Sequence, residues 1–147
     1  MSGNGGAIYS SNTHGWLNNT ALMRNVANRS GGGIYSQGGT LSVNRGEFYN
    51  NLAKEGGGAI GTAGGTLDLL DTRIEKNQAW RHGGAIYSNK TSTTRLTRCD
   101  VTHNLQNHPH DGLDYANDGG GAIWVGNNAS IAVYASWLVL NLSLIHI

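Results

Sequence analysis

One cysteine, one proline and one phenylalanine occur in 147 residues, and each scarcity excludes something. The single thiol, Cys99, cannot close an internal disulfide, so no disulfide framework holds this chain together. Charge is sparse and nearly balanced, 10 Lys and Arg against 9 Asp and Glu for a net charge of +1. A nucleic-acid groove needs bases clustered on one face, so nucleic acid is not an expected partner. The apolar run that starts at Trp137 is shorter than the roughly 20 residues a bilayer span takes, and no membrane span is expected. Nowhere do apolar residues recur at i, i+3, i+4, i+7 for long enough to make a helix.

Glycine is abundant, 23 residues, and its placement is periodic. Ile8, Ile34, Ile60, Ile86 and Ile123 each close a Gly-rich tetrad, Gly5-Gly6-Ala7-Ile8 being the first, at spacings of 26, 26, 26 and 37. An apolar residue three before an Asn repeats in step: Leu22 to Asn25, Phe48 to Asn51, Ile74 to Asn77, Val101 to Asn104 and Leu138 to Asn141. Leu17, Val43, Leu69, Leu96 and Val133 form a third register at 26, 26, 27 and 37. Three registers sharing one period mark a solenoid.

Short alternating stretches such as Leu41-Ser42-Val43 and Leu67-Asp68-Leu69, broken by Gly and Asn, make the repeat one of strands. The expected fold is all-β: a right-handed, single-stranded parallel β-helix of about five coils of 26 residues, with three strands per coil and crossovers of the usual hand. A leucine-rich repeat is the competing architecture, and it lacks both its fuller Leu pattern and a helical return segment here. Alternation from an inward Phe48 puts Gly46 inward, in a slot that Thr20, Thr72, Cys99 and Ser136 share, and all five are small. Outward, Arg45, Asp71 and Arg98 form one column of alternating sign, and Glu47, Arg73 and Asp100 form the next. Such columns penalise a slipped register. The column Asn25, Asn51, Asn77, Asn104, Asn141 fits an amide ladder, since each side chain both donates and accepts, and Asn tolerates the left-handed backbone of sharp turns.

These motifs resemble the polymorphic outer membrane protein repeats, the Gly-Gly-Ala-Ile and Phe-x-x-Asn units of chlamydial autotransporter passengers and related surface proteins, over essentially the whole chain. Gly-Gly-Ala-Ile stands literally four times and once as Gly-Gly-Gly-Ile, whereas Phe-x-x-Asn is literal only at Phe48 to Asn51. The resemblance implies a right-handed parallel β-helix, export to the extracellular cell surface, and adhesion to a surface protein or glycan of a host or neighbouring cell. It implies no catalytic residue and no cofactor.

Residues 1–147 then read as a single β-helix piece of a longer protein, with neither a polar cap nor a signal peptide ahead of the first tetrad. The tail, residues 142–147, resembles a translated sequencing-library adaptor. Sequons at Asn18, Asn28, Asn89, Asn128 and Asn141 are usable only in a eukaryotic secretory route. The period breaks once, at 105–119, which holds ten extra residues. His108, His110, Asp111 and Asp114 in that insertion offer imidazole and carboxylate ligands for a divalent metal such as Zn²⁺, against the plainer expectation of a solvated loop. The residue after each tetrad Ile is Tyr9, Tyr35, Gly61, Tyr87 or Trp124, an outward column whose aromatic faces suit a sugar or a partner protein, or simply stabilise strand stacking. Cys99, in a small inward slot, is expected to be an inert core residue. A β-helical carbohydrate-active enzyme of the pectate-lyase kind is the alternative reading. It needs acids grouped on one face, and no two acids outside the insertion stand in one column on adjacent coils.

Overall fold

The computed structural model describes residues 3–108 and 119–144, and over these residues the protein is a parallel β-solenoid without helix. Four parallel sheets run along it, each taking one strand from each of five successive coils. The second coil shows the pattern: Ile34–Gln37, Thr40–Asn44, Glu47–Tyr49 and Leu52–Ala53. The three sequence registers coincide with strand pairing, for Ile34 pairs with Ile8 and Ile60, Val43 with Leu17 and Leu69, and Phe48 with Leu22 and Ile74. The leucine-rich repeat is excluded by this topology.

Three strands per coil were expected and four are present. The fourth, only two residues long in the second and third coils, follows the Asn turn and is too short to show alternation. Its inward residue is Ala27, Ala53 or Ala79 in the first three coils, and all three are buried. Small residues sit there because the coil closes at that point. A Cβ on Gly32 would lie 2.7 Å from the Leu52 carbonyl oxygen, and one on Gly58 would lie 2.5 Å from the Gln78 nitrogen, so the second tetrad glycine lets the first and fourth sheets meet backbone to backbone. The first tetrad glycine turns the chain into this contact with φ between 56° and 79° at Gly5, Gly31, Gly57, Gly83 and Gly120.

Inside, Ile34, Ile60, Ile86, Val43, Leu69, Leu96, Phe48, Ile74 and Val101 form one continuous buried cluster, and Cys99 belongs to it. Burial pushes the Cys99 thiol above its ordinary range. The small slot at Gly46, Thr72 and Cys99 is also buried, as volume alternation requires.

The Asn column is a hydrogen-bonded ladder. Backbone N and Nδ2 of Asn51 both donate to Oδ1 of Asn77 at 2.9 Å, and Asn77 repeats this toward Asn104 at 2.9 and 3.0 Å. Each Nδ2 also reaches back one coil, to the Leu22 carbonyl from Asn51 and to the Phe48 carbonyl from Asn77. The left-handed turn lies one residue earlier than expected, at Arg24, Asn50, Lys76, His103 and Leu140, with φ of 54° to 56°. The ladder residues themselves keep negative φ because their amides must point along the stack.

Candidate functional site

The residues flanking each tetrad build the most distinctive surface. Because Ile34, Ile60 and Ile86 point into the core, the next residue of each strand faces out, and Tyr9, Tyr35, Gly61, Tyr87 and Trp124 fall in one register. Tyr9 stacks on Tyr35 with ring centroids 5.9 Å apart and planes 12° from parallel. Tyr87 stacks on Trp124 at 5.0 Å and 11°. His82 completes this second cluster, 5.7 Å from Tyr87 and 4.6 Å from Trp124. Sequence reasoning missed His82, although its place one residue ahead of the tetrad put it in reach.

Gly61 does not leave a hole in the row. A Cβ there would lie 2.8 Å from Cδ2 of Tyr35, and one on Gly56 would lie 2.7 Å from Cδ2 of Tyr87, so these two glycines are the floor on which the neighbouring rings lie. The expectation that all four aromatics present open faces is corrected accordingly. Tyr35 is only 8% exposed, and Tyr9 is the freest at 53%. Burial raises the Tyr35 phenol above its ordinary pKa, with Tyr87 and Tyr9 adding to it, and burial likewise raises Tyr87. Polar contacts fix the rings: the Tyr9 hydroxyl donates to Gln37 Oε1 at 3.0 Å, and Asn89 Nδ2 donates to the Tyr87 hydroxyl. Beside them Arg29 meets Glu55 at 3.2 Å, an ion pair whose two side chains both remain solvent-accessible. The result is a rigid strip of ring faces and edges with a charged, hydrogen-bonding rim.

The charge columns are partly as expected. Arg98 grips Asp71 through two bonds of 2.7 and 2.9 Å, and this pairing, with a smaller contribution from Arg45, holds the Asp71 carboxyl below its ordinary value. In the second column Arg73 does pair in register with Glu47 and Asp100, but its guanidinium turns along its own strand to Glu75 at 2.5 Å. Glu75 stands two residues on, on the same strand face, and Lys76 also reaches it at 3.2 Å. Two cross-coil pairs escaped the sequence reading, Arg29 with Glu55 and Arg95 with Asp68 at 3.1 Å, although separations of 26 and 27 residues announced both.

Of the proposed metal ligands, His110, Asp111 and Asp114 lie outside the described residues. His108 is half-buried at the end of the regular coil. Leu105–Asn107 is a strand of the fourth sheet and Gly119 bridges to His82, so the regular repeat reaches further into 105–119 than the spacing alone indicated. Among the described residues no three of His, Cys, Asp and Glu come close enough to hold an ion. Residues Leu142–Leu144 continue the coil by pairing with Leu105–Asn107. No helix among the described residues is long and apolar enough to cross a membrane. Comparison with protein-family models, with curated proteins and with solved structures finds no match to this chain.

Proposed function

We propose that this chain is a segment of an exported, right-handed β-helix protein displayed at the cell surface, and that it serves as a rigid spacer carrying an adhesive strip. The partner is a glycan or protein on a host or neighbouring cell. The observation that carries this reading is the ordered stack of Tyr87, Trp124 and His82, continued by Tyr9 toward the first coil and rimmed by Arg29 and Glu55. Aromatic faces beside hydrogen-bonding groups suit the apolar faces and hydroxyl edges of sugars. Catalysis on a polysaccharide is the weaker reading. Glu55, Asp68, Asp71 and Glu75 are each engaged by Arg or Lys as structural ion pairs, and the Arg98 pairing holds the Asp71 carboxyl below its ordinary value, the opposite of what a general acid needs.

The test is a glycan array together with binding to intact cells, run with the parent chain and with the double substitution Tyr9→Ala, Trp124→Ala. Binding that the double substitution abolishes supports the strip. Binding that survives it moves adhesion elsewhere on the molecule, and release of reducing ends from a polysaccharide would replace adhesion by catalysis.

A further inference from the structure

The face that carries the ring strip extends beyond it, onto the fourth sheet. Ala53 and Ala79 pair across neighbouring coils and point into the core, so the residues that follow them, Lys54 and Trp80, stand side by side on the outside. Lys54 Nζ lies 5.3 Å from the centre of the Trp80 ring, within cation–π range. The buried Gln106 side chain holds this spot from inside, its Nε2 donating to the Trp80 carbonyl at 2.9 Å. Two residues after Trp80 comes His82, whose ring meets those of Tyr87 and Trp124. Along extended backbone that puts the two Cα atoms roughly 7 Å apart. Lys54, Trp80, His82 and Tyr87 belong to the second, third and fourth coils, each of which has a coil on either side.

The cation on this indole is not neutralised from within. Glu55, next in sequence to Lys54, is committed to Arg29 at 3.2 Å, and among the described residues no carboxylate pairs with Lys54. The other described acids, Glu47, Asp68, Asp71, Glu75 and Asp100, stand on the second and third sheets or at the corner between them. The indole keeps water from one side of the ammonium and fixes a side chain that otherwise samples many rotamers. An incoming anion therefore meets a pre-organised, partly dehydrated cation, and less ordering cost opposes its binding.

We infer that this face takes an acidic glycan, one sugar of which sets a carboxylate or sulfate ester against Lys54 over the Trp80 ring while its neighbour lies on the His82, Tyr87 and Trp124 cluster. The inference rests on the adhesive reading of the strip and adds the class of its ligand. The separation between Trp80 and His82 is one that adjacent sugars of a single chain can bridge. A neutral sugar at the same place would cover the ammonium without returning a charge-assisted hydrogen bond, so it binds less well.

A glycan array and intact cells test this with the parent chain, Lys54→Gln, Lys54→Arg and a control for charge lost elsewhere, Arg45→Gln, at the exposed corner between the second and third sheets. The array carries neutral oligosaccharides, oligosaccharides carboxylated through uronic or sialic acid, and sulfated ones. Acidic members should bind in preference to neutral ones of the same length, and the kind that binds identifies the anion as carboxylate or sulfate. Lys54→Gln should weaken that binding about tenfold or more, as loss of a hydrogen bond to a charged group does. Lys54→Met, which keeps the aliphatic stem on the indole, replaces it should circular dichroism show that chain unfolded. Lys54→Arg keeps a cation over the ring and should retain binding, while Arg45→Gln should change it by less than about twofold. Neutral glycans bound as well as acidic ones, or equal losses in Lys54→Gln and Arg45→Gln, would overturn the inference and leave the adhesive strip standing. Binding to cells with no glycan bound would do the same. Binding to neither would remove the adhesive reading, and this inference with it.

Discussion

Asp71 sits at a corner where the backbone is left-handed, φ 48°, and Arg45 and Arg98 occupy the same corner of the flanking coils with φ of 52° and 51°. Such a conformation costs a non-glycine residue about 1–2 kcal/mol, so the stacked neighbours impose it. The Arg98 fork makes the corner pH-dependent. With the folded carboxyl held below its ordinary 3.8, the folded state binds the proton less readily than the unfolded chain. Its contribution is therefore complete above the unfolded value and disappears as pH falls through the lower, folded one. Comparing urea midpoints of the parent and Asp71→Asn, we expect a constant gap above about pH 5 that narrows below the unfolded carboxylate range. A gap unchanged into strong acid would mean that Arg98 does not stabilise the carboxylate. At this scale the sequence made the columns legible, because sign alternation at 26 and 27 residues is visible by eye. It did not show that Arg73 would choose Glu75, since register fixes which backbones adjoin but not which rotamer a long guanidinium adopts. Nor did it show the left-handed corners that follow the second and third strands of each coil, which fall on Asn, Arg, Asp, Lys, His, Ala and Leu with no Gly among them.

The element that organises each coil is the pair of tetrad glycines, one bending the chain and the other admitting the fourth sheet. Their roles separate from ordinary glycine flexibility in a paired experiment. Gly58→Ala forces a Cβ to within 2.5 Å of Gln78 N, and backbone cannot yield as a side chain can. It should cost at least about 2 kcal/mol in chemical denaturation. Gly15 lies inside the strand His14–Asn18, where a Cβ would meet only Leu41 Cδ1 at 3.4 Å, so Gly15→Ala should be neutral or stabilise by about 0.4–1 kcal/mol. Equal losses at the two positions would show that the tetrad has no special closure role. The sheets headed by Ile34, Thr40 and Glu47 were legible through alternation. The fourth was hidden, since Leu52–Ala53 offers one inward residue and one outward, and Ala53 carries little hydrophobic signal.

For the whole molecule, stability in a solenoid is a sum of coils and of the interfaces between neighbours, so the middle coils, enclosed on both sides, hold the fold while the end coils expose their core. That distribution explains why Leu138 is 41% exposed while its column mate Val101 is buried completely. Fold was readable from period alone. The candidate strip was readable as a column of aromatics but not as a surface, because which rings lie flat depends on Gly56, 31 residues before Tyr87, and on Gly61, 26 residues after Tyr35. The central claim, one register repeated coil upon coil, is tested most directly by hydrogen exchange of the Asn side-chain amides followed by NMR. Stacked as described, the Nδ2 protons of Asn51, Asn77 and Asn104 bond to the next Asn and to a carbonyl one coil back, in a buried column. They should persist long after the exposed Asn50 side chain has exchanged. Exchange of all three as fast as Asn50 would contradict the ladder and, with it, the register on which the account stands.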